Sequence, residues 1–174
     1  MIHRSPQFNK KLMSSFINGL QAVCEGQAYD KEFEACEIVT EDEYIHMIDL
    51  KTGYLIGLSA ELGAISAGAN DDDAIKVREY GRLIGRAFQI QDDILDYEAL
   101  KLDTGKPAMK DYKEGKITFP LFFALQNAKP KDRKFIMENL GRTKIFGNIF
   151  FTLFVFYTKN IYIFTQIFFY KKHV

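Results

Sequence analysis

Apolar residues recur at helical spacing through the first part of the chain. Within residues 8–29 the recurring positions are Leu12, Phe16, Leu20 and Val23. Apolar residues three or four positions apart line one face of a helix, so this segment is predicted to be helical. Thr40 and Glu43 precede an apolar run at the spacing of a capping box, in which each residue bonds the other's backbone amide. A second helix is therefore predicted from Glu41 to about Ala69.

Small residues recur along this second predicted helix, and they would let a neighbouring helix approach its backbone closely. They are Gly53, Gly57, Ala60, Ala64 and Ala67. A membrane span is the alternative for such a stretch. Charged residues interrupt it, however, and no uncharged run reaches the roughly 18 residues that a span requires.

A third helix is predicted over residues 69–100, and it carries two groups of aspartates. Acids at a helix start cap free amides and suit the helix dipole, which explains Asp71, Asp72 and Asp73. The second group lies some twenty residues further in, where capping cannot explain it. It follows Gln89 and consists of Asp92, Asp93 and Asp96. Spacings of three, four and seven residues place these four side chains on one helix face.

The second aspartate group has no lysine or arginine among residues 88–97 to offset its charge. Like charges three or four positions apart on a helix repel by roughly 0.2–0.5 kcal/mol per pair. Two interpretations remain open from spacing alone. The acids form a solvated outer face, or they bind magnesium, which takes carboxylate oxygens and completes its coordination with water and phosphate.

A loop rich in lysine is predicted over residues 101–120, and a short apolar helix follows it in residues 118–128. The lysines of the loop include Lys106, Lys110, Lys113 and Lys116. Such lysines are typical of a solvated loop, and they are also what a magnesium-bridged diphosphate requires. No convincing alternating strand occurs before about residue 140, so the predicted fold class is all-α, a helical bundle.

Composition narrows the function classes. The chain has 23 basic and 23 acidic residues, whereas a nucleic-acid-binding protein usually carries a basic excess. Cys24 and Cys36 form no CxxC pair, and the first sixteen residues contain no continuous apolar stretch typical of a signal peptide. We therefore expect a cytoplasmic protein that binds neither nucleic acid nor membrane.

The composition changes abruptly near residue 142. Residues 143–174 contain no acid and no alanine and consist mostly of Phe, Ile, Tyr, Lys and Asn. All five residue types can be encoded by A and T alone, as in translated non-coding DNA. The competing interpretation is a membrane helix, but the uncharged run from Ile145 to Thr158 is short for a span. The predicted domain is thus residues 1–142, followed by an atypical tail at residues 143–174.

Four segments, in order, resemble the trans-isoprenyl diphosphate synthases, the polyprenyl synthetase family. "GRAFQIQDDILDY" is similar to the second aspartate-rich motif, DDxxD, and "LKTGYL" to the Lys-Thr signature. "GKPAMKDYKEGKITFPLFFAL" resembles the lysine loop that follows, and "CEGQAYDKEFE" resembles a further family segment. Met109 stands where that loop usually has glycine, so a positive φ there would strain the backbone.

The resemblance implies an isoprenoid synthase bundle around an apolar cavity and a Mg²⁺-dependent prenyltransferase of isoprenoid biosynthesis. Its substrates would be an allylic diphosphate and isopentenyl diphosphate. By the family pattern, Asp92, Asp93 and Asp96 bind the metal. The residues expected to contact diphosphate oxygens are Lys51, Lys106 and Lys116, and Asp111 is expected to orient the lysine loop. Thr52 and Gln89 would lie near the carbocation. From the sequence alone, Lys51 could equally extend along apolar surface toward solvent.

The family's first aspartate-rich motif has no counterpart before Asp92. The resemblance therefore predicts an incomplete bundle, a fragment of the C-terminal half that is inactive alone. The expected assembly is a homodimer or a dimer with a full-length synthase. Two further interpretations stay open: a non-catalytic partner subunit of such a synthase, or a gene fragment without function.

Overall fold

The computed structural model describes residues 6–34, 39–98 and 109–142, and every regular element in these ranges is helical. The predicted all-α fold class is therefore confirmed. The elements are α1 (Pro6–Phe33), α2 (Glu41–Ile48), a π-turn (Asp49–Gly53), α3 (Tyr54–Ala67), α4 (Asp71–Glu98), α5 (Lys110–Lys113), α6 (Phe119–Asn127) and α7 (Pro130–Asn139).

The predicted capping box starts α2. The Glu43 amide donates to the Thr40 hydroxyl at 3.3 Å, and the Glu43 carboxylate accepts from the Thr40 amide at 2.8 Å. The predicted helix from Glu41 to about Ala69 is interrupted, however. At the π-turn the amide of Tyr54 donates to the carbonyl of Asp49, five residues earlier, instead of four. Such a turn adds one residue to the helix and rotates the side chains that follow it.

The start of α4 differs from the sequence expectation in its capping residue. Asn70, rather than an aspartate, is the cap: its side-chain oxygen accepts from the Asp73 amide at 2.8 Å, and its amide group donates to the Asp73 carboxylate. The three aspartates fill the first turn of α4. They suit the positive end of the helix dipole there without taking the capping position.

Residues 1–91 form one compact unit, unit 1. Its buried apolar side chains come mainly from the segment around the π-turn and include Tyr44, Met47, Ile48, Leu50, Leu58 and Ile65. Within it α4 crosses α3 and the π-turn at glycines. A Cβ on Gly81 would lie 2.8 Å from the Gly57 Cα, and one on Gly85 would lie 2.6 Å from the Gly53 Cα. The predicted close helix approach is thus confirmed at two glycines, where backbone meets backbone.

We expect Gly85→Ala to destabilise the protein by about 1–3 kcal/mol, because the added methyl group meets backbone that cannot move independently of its helix. Gly63→Ala is the matched control. A Cβ there has nothing within 4 Å, so the better helix propensity of alanine should raise stability by about 0.5–1 kcal/mol. Urea unfolding of both variants checks this. Equal changes in the two would contradict the close crossing.

Residues 92–174 form the second compact unit, unit 2, described up to Arg142. Its core includes Tyr112, Leu121 and Ile136, which are almost fully buried. The Tyr112 hydroxyl donates to the Ile136 carbonyl at 2.7 Å and so joins α5 to α7. The predicted short helix at residues 118–128 is present as α6, whereas α5 and α7 were not predicted. Residues 143–174, and with them the predicted tail, lie outside the described residues.

Candidate functional site

The π-turn carries Lys51 and Thr52, two of the predicted site residues. The Lys51 ammonium pairs with the carboxylate of Asp30 at 2.8 Å, and Asp30 on α1 is buried. The Lys51 side chain remains about one quarter exposed. It therefore does not simply extend along apolar surface into solvent: a buried carboxylate fixes its head group, which still borders solvent.

Thr52 and Gln89 were predicted separately, and the structure brings them together. The Thr52 hydroxyl donates to the side-chain oxygen of Gln89 at 2.7 Å, and both side chains are half-buried. The threonine acts as the donor in this bond, so its oxygen keeps its lone pairs. This pair links the π-turn to α4.

The aspartates near the end of α4 have unequal surroundings. Asp92 is exposed, Asp93 is 4% exposed, and Asp96 is half-buried. The Asp96 carboxylate accepts the backbone amides of Lys110 at 3.0 Å and Asp111 at 3.1 Å. It therefore caps the start of α5, a contact absent from the sequence-based interpretation. A carboxylate oxygen that accepts one N–H still has a lone pair, so the predicted metal role of Asp96 stays a prediction.

Met109 leads into this capped turn with a left-handed backbone, φ 55° and ψ 40°. Met109 therefore adopts the positive φ that was expected to strain a residue other than glycine. Its cost is roughly 1–2 kcal/mol for a residue with a side chain. Two contacts hold the residue in place: its amide donates to the Asp96 carbonyl at 3.0 Å, and its side chain is buried.

Negative charge accumulates around Asp111. Burial, reinforced by Asp96 and Asp93, raises the pKa of Asp111 to about 6, although Lys116 lies 4.0 Å away. Burial also raises the pKa of Tyr97, and the charges of Asp111, Asp96 and Asp93 raise it further. The Tyr97 and Thr118 hydroxyls are both buried, and within the described residues neither makes a hydrogen bond of ordinary geometry.

Only some lysines of the predicted loop lie within the described residues. Lys116 is mostly buried and pairs with Glu114 at 3.2 Å, while Lys110 is exposed and pairs with the same glutamate at 3.6 Å. The predicted diphosphate ligand Lys106 lies outside the described residues. Lys116 is thus the predicted lysine ligand placed beside the acids of unit 2.

The donor set of unit 2 suits a hard cation in charge and in ligand type. In the described ranges, no three His, Cys, Asp or Glu side chains are grouped closely enough to hold a metal ion by themselves. Magnesium does not need three, because it usually takes one or two carboxylates and fills its other positions with water and substrate phosphates. The negative charge of Asp96 and Asp93 that acts on Asp111 is what such an ion would offset.

Known proteins share these segments and this fold. The profile of the polyprenyl synthetase family matches residues 1–146. The chain belongs to the polyprenyl synthetase family. Its fold is that of the isoprenoid synthases: the structure matches geranylgeranyl pyrophosphate synthetase from Pyrococcus horikoshii with a TM-score of 0.77 and 33% identity. That match covers 89% of this chain and 47% of the other.

The curated relatives are isoprenyl diphosphate synthases. The chain is 40% identical over 132 residues to the short chain isoprenyl diphosphate synthase of Methanothermobacter thermautotrophicus, covering 76% of this chain and 41% of the relative. It is 43% identical over 131 residues to the geranylgeranyl diphosphate synthase of Saccharolobus solfataricus, covering 75% and 40%. This polyprenyl synthetase chain thus spans about 40% of the length of the curated relatives it matches.

Sequence reasoning missed three features of this polyprenyl synthetase chain near the predicted residues. They are the Asp30 partner of Lys51, the capping role of Asp96, and the buried charge of Asp49 at the start of the π-turn. Asp30 lies in the family segment "CEGQAYDKEFE", but no local pattern in the sequence indicates its contact with Lys51. Among the described helices, none is both long enough and apolar enough to span a bilayer.

Proposed function

We propose that this chain binds the magnesium complex of a prenyl diphosphate and takes part in prenyl transfer from an allylic diphosphate to isopentenyl diphosphate. The observation that carries the proposal is the grouping of Asp93, Asp96 and Asp111: burial, with the charges of Asp96 and Asp93, raises the pKa of Asp111 to about 6 although Lys116 lies 4.0 Å away. A solvated outer face would not place Asp93 at 4% exposure. The names of the relatives support the substrate class.

Each residue has a separate part in the proposal. Asp92 and Asp93 would hold the metal, with Asp96 completing the group, and Lys106 and Lys116 would contact diphosphate oxygens. Mg²⁺, when bound, would draw off the negative charge that develops on the departing diphosphate. Lys51, held by Asp30, would supply a positive charge whose position does not change as the reaction proceeds.

Thr52 and Gln89 would present oxygen lone pairs to positive charge on the prenyl group. The 2.7 Å bond between them supports this role, because it orients both side chains before substrate arrives. Asp111 would orient the lysine turn: its carbonyl accepts the Lys116 amide at 2.9 Å, and its carboxylate lies near the Lys116 ammonium.

Incorporation of labelled isopentenyl diphosphate tests the proposal. The purified chain is assayed with Mg²⁺ and allylic primers, alone and with a full-length family member added, and the product that this family member makes by itself is subtracted. Magnesium-dependent product that disappears in Asp92→Asn is the expected result in at least one of the two settings. Product that appears only with the added synthase would favour the role of a partner subunit. Absence of product in both settings, with no diphosphate bound, would refute the proposal.

A further inference from the structure

Four polar side chains recur at three- and four-residue spacing on α4 and line one face of it. Each contacts a polar or acidic side chain of residues 49–61. The pairs are Arg78 with Glu61, Arg82 and Arg86 with Asp49, and Gln89 with Thr52. Two of the three contacted residues, Asp49 and Thr52, belong to the π-turn. One face of α4 therefore bonds the π-turn near both of its ends.

Asp49 is the most buried acid in this row, with 4% of its surface exposed. The Nε of Arg86 donates to its Oδ1 at 2.8 Å and the Nε of Arg82 at 3.2 Å, while a second Arg82 nitrogen bonds Oδ2. Burial alone would raise the pKa of Asp49, but the hydrogen bonds from Arg82 and Arg86 outweigh it and lower the pKa. The carboxylate is thus charged and held from two directions.

Arg82 also contacts the residue that follows the turn. Its guanidinium lies over the Tyr54 ring, 4.9 Å from the ring centroid. The Tyr54 amide makes the hydrogen bond that defines the π-turn, to the carbonyl of Asp49. A single arginine therefore contacts the first side chain of the turn and the side chain that directly follows the turn.

We propose that Asp49, with Arg82 and Arg86, is a positioning residue that holds the π-turn and so fixes the direction of Lys51 and Thr52. Isolated π-turns are rare, because an ordinary helix is the more favourable alternative. Those that do occur frequently lie at functional sites. Guanidinium–carboxylate bonds are directional, so they favour one turn geometry over others. The effect of the turn on ligand binding rests on the proposed function, whereas the claim that Asp49 holds the turn does not.

Hydrogen exchange in the full chain tests the holding of the turn. Asp49→Asn removes the charge at nearly constant volume. Glu61→Gln is the matched control, because Glu61 is also a buried acid paired with an α4 arginine. It lies about two helical turns beyond the π-turn. In Asp49→Asn the amides of residues 52–54 should exchange at least about tenfold faster relative to those of α1, since one charge-assisted contact supports the local closed state. Glu61→Gln should not show this local difference.

Binding of inorganic pyrophosphate with Mg²⁺ is the second measurement. Loss of a supporting contact of this kind weakens ligand affinity by about 10- to 100-fold, and we expect that loss for Asp49→Asn and not for Glu61→Gln. Arg86→Gln, at a partly exposed residue, replaces Asp49→Asn if the latter fails to fold. It should show the same local exchange in weaker form.

The two measurements separate the inference from the proposed function. If the wild-type chain does not bind pyrophosphate, the proposed function fails, and the exchange comparison still decides whether Asp49 holds the turn. Equal exchange rates at residues 52–54 in the Asp49 and Glu61 variants, after correction for global stability, would overturn the inference. Faster local exchange without any loss of pyrophosphate affinity would overturn the link to Lys51 and Thr52.

Discussion

Replacing Asp92 and Asp93 by asparagine should weaken magnesium-dependent binding of an allylic diphosphate by about 10- to 100-fold per residue. The range follows from the 1.5–3 kcal/mol that a contact to a charged group contributes. Asparagine keeps the size and one oxygen of aspartate but lacks its charge, so the loss reports on charge. Isothermal titration of the wild type and the variants, with and without Mg²⁺, gives the affinities.

Asp72→Asn is the control for this comparison. It removes an exposed acid from the first turn of the same helix and should leave diphosphate affinity unchanged. The exposed Asp92 is the cleaner of the two test positions, because its replacement disturbs no buried contact. Equal affinity in the wild type and the Asp92, Asp93 double variant would contradict the proposed metal site.

Asp111→Asn should stabilise the metal-free protein near pH 7.5, and this gain over the wild type should disappear as the pH falls from 6 to 4. The pKa of Asp111 is about 6 in the folded chain, against an ordinary value of 3.8, so the folded state binds its proton more tightly than the unfolded state. A raised acid pKa costs stability once the group ionises: the penalty is absent below 3.8 and complete above about 6. Its size is on the order of 1–3 kcal/mol.

Urea unfolding of wild type and variant from pH 4 to 7.5, in the presence of a chelator, measures this difference. Glu138→Gln, an exposed acid on α7, is the control and should leave the pH dependence as it is. With Mg²⁺ and pyrophosphate present, the penalty should shrink, because a bound cation offsets the charge of Asp93 and Asp96. A difference in stability between variant and wild type that does not grow with pH through this window would contradict the raised pKa of Asp111.

The sequence predicted elements whose causes are local. The Thr40–Glu43 capping box and the apolar spacing of α1 involve residues within a few positions of one another, and both are present. The family segments also placed Thr52 and Gln89 as site residues. Their mutual bond could not be predicted, because the two residues are 37 positions apart and no local pattern links them.

The features that sequence reasoning missed depend on contacts between distant residues or on one inserted residue. In the sequence Asp49 is only one of the charged residues that interrupt an apolar stretch, and its arginine partners lie 33 and 37 positions away. The π-turn adds one residue to a segment that is apolar on several faces. The insertion therefore hardly changes the spacing of apolar residues, and the hydrophobic pattern does not indicate it. The helix α5 is a single turn, and a distant carboxylate, that of Asp96, caps it.

Paramagnetic broadening by Mn²⁺, in place of Mg²⁺, tests the central claim most directly. Amide signals of the full chain are recorded with Mn²⁺, with and without inorganic pyrophosphate. The account predicts strong broadening centred on residues 92–96 and 111–116 that requires pyrophosphate. Broadening centred instead on Asp71–Asp73, about 30 Å away along α4, or equal broadening with and without pyrophosphate, would contradict a metal–diphosphate site at the second aspartate group.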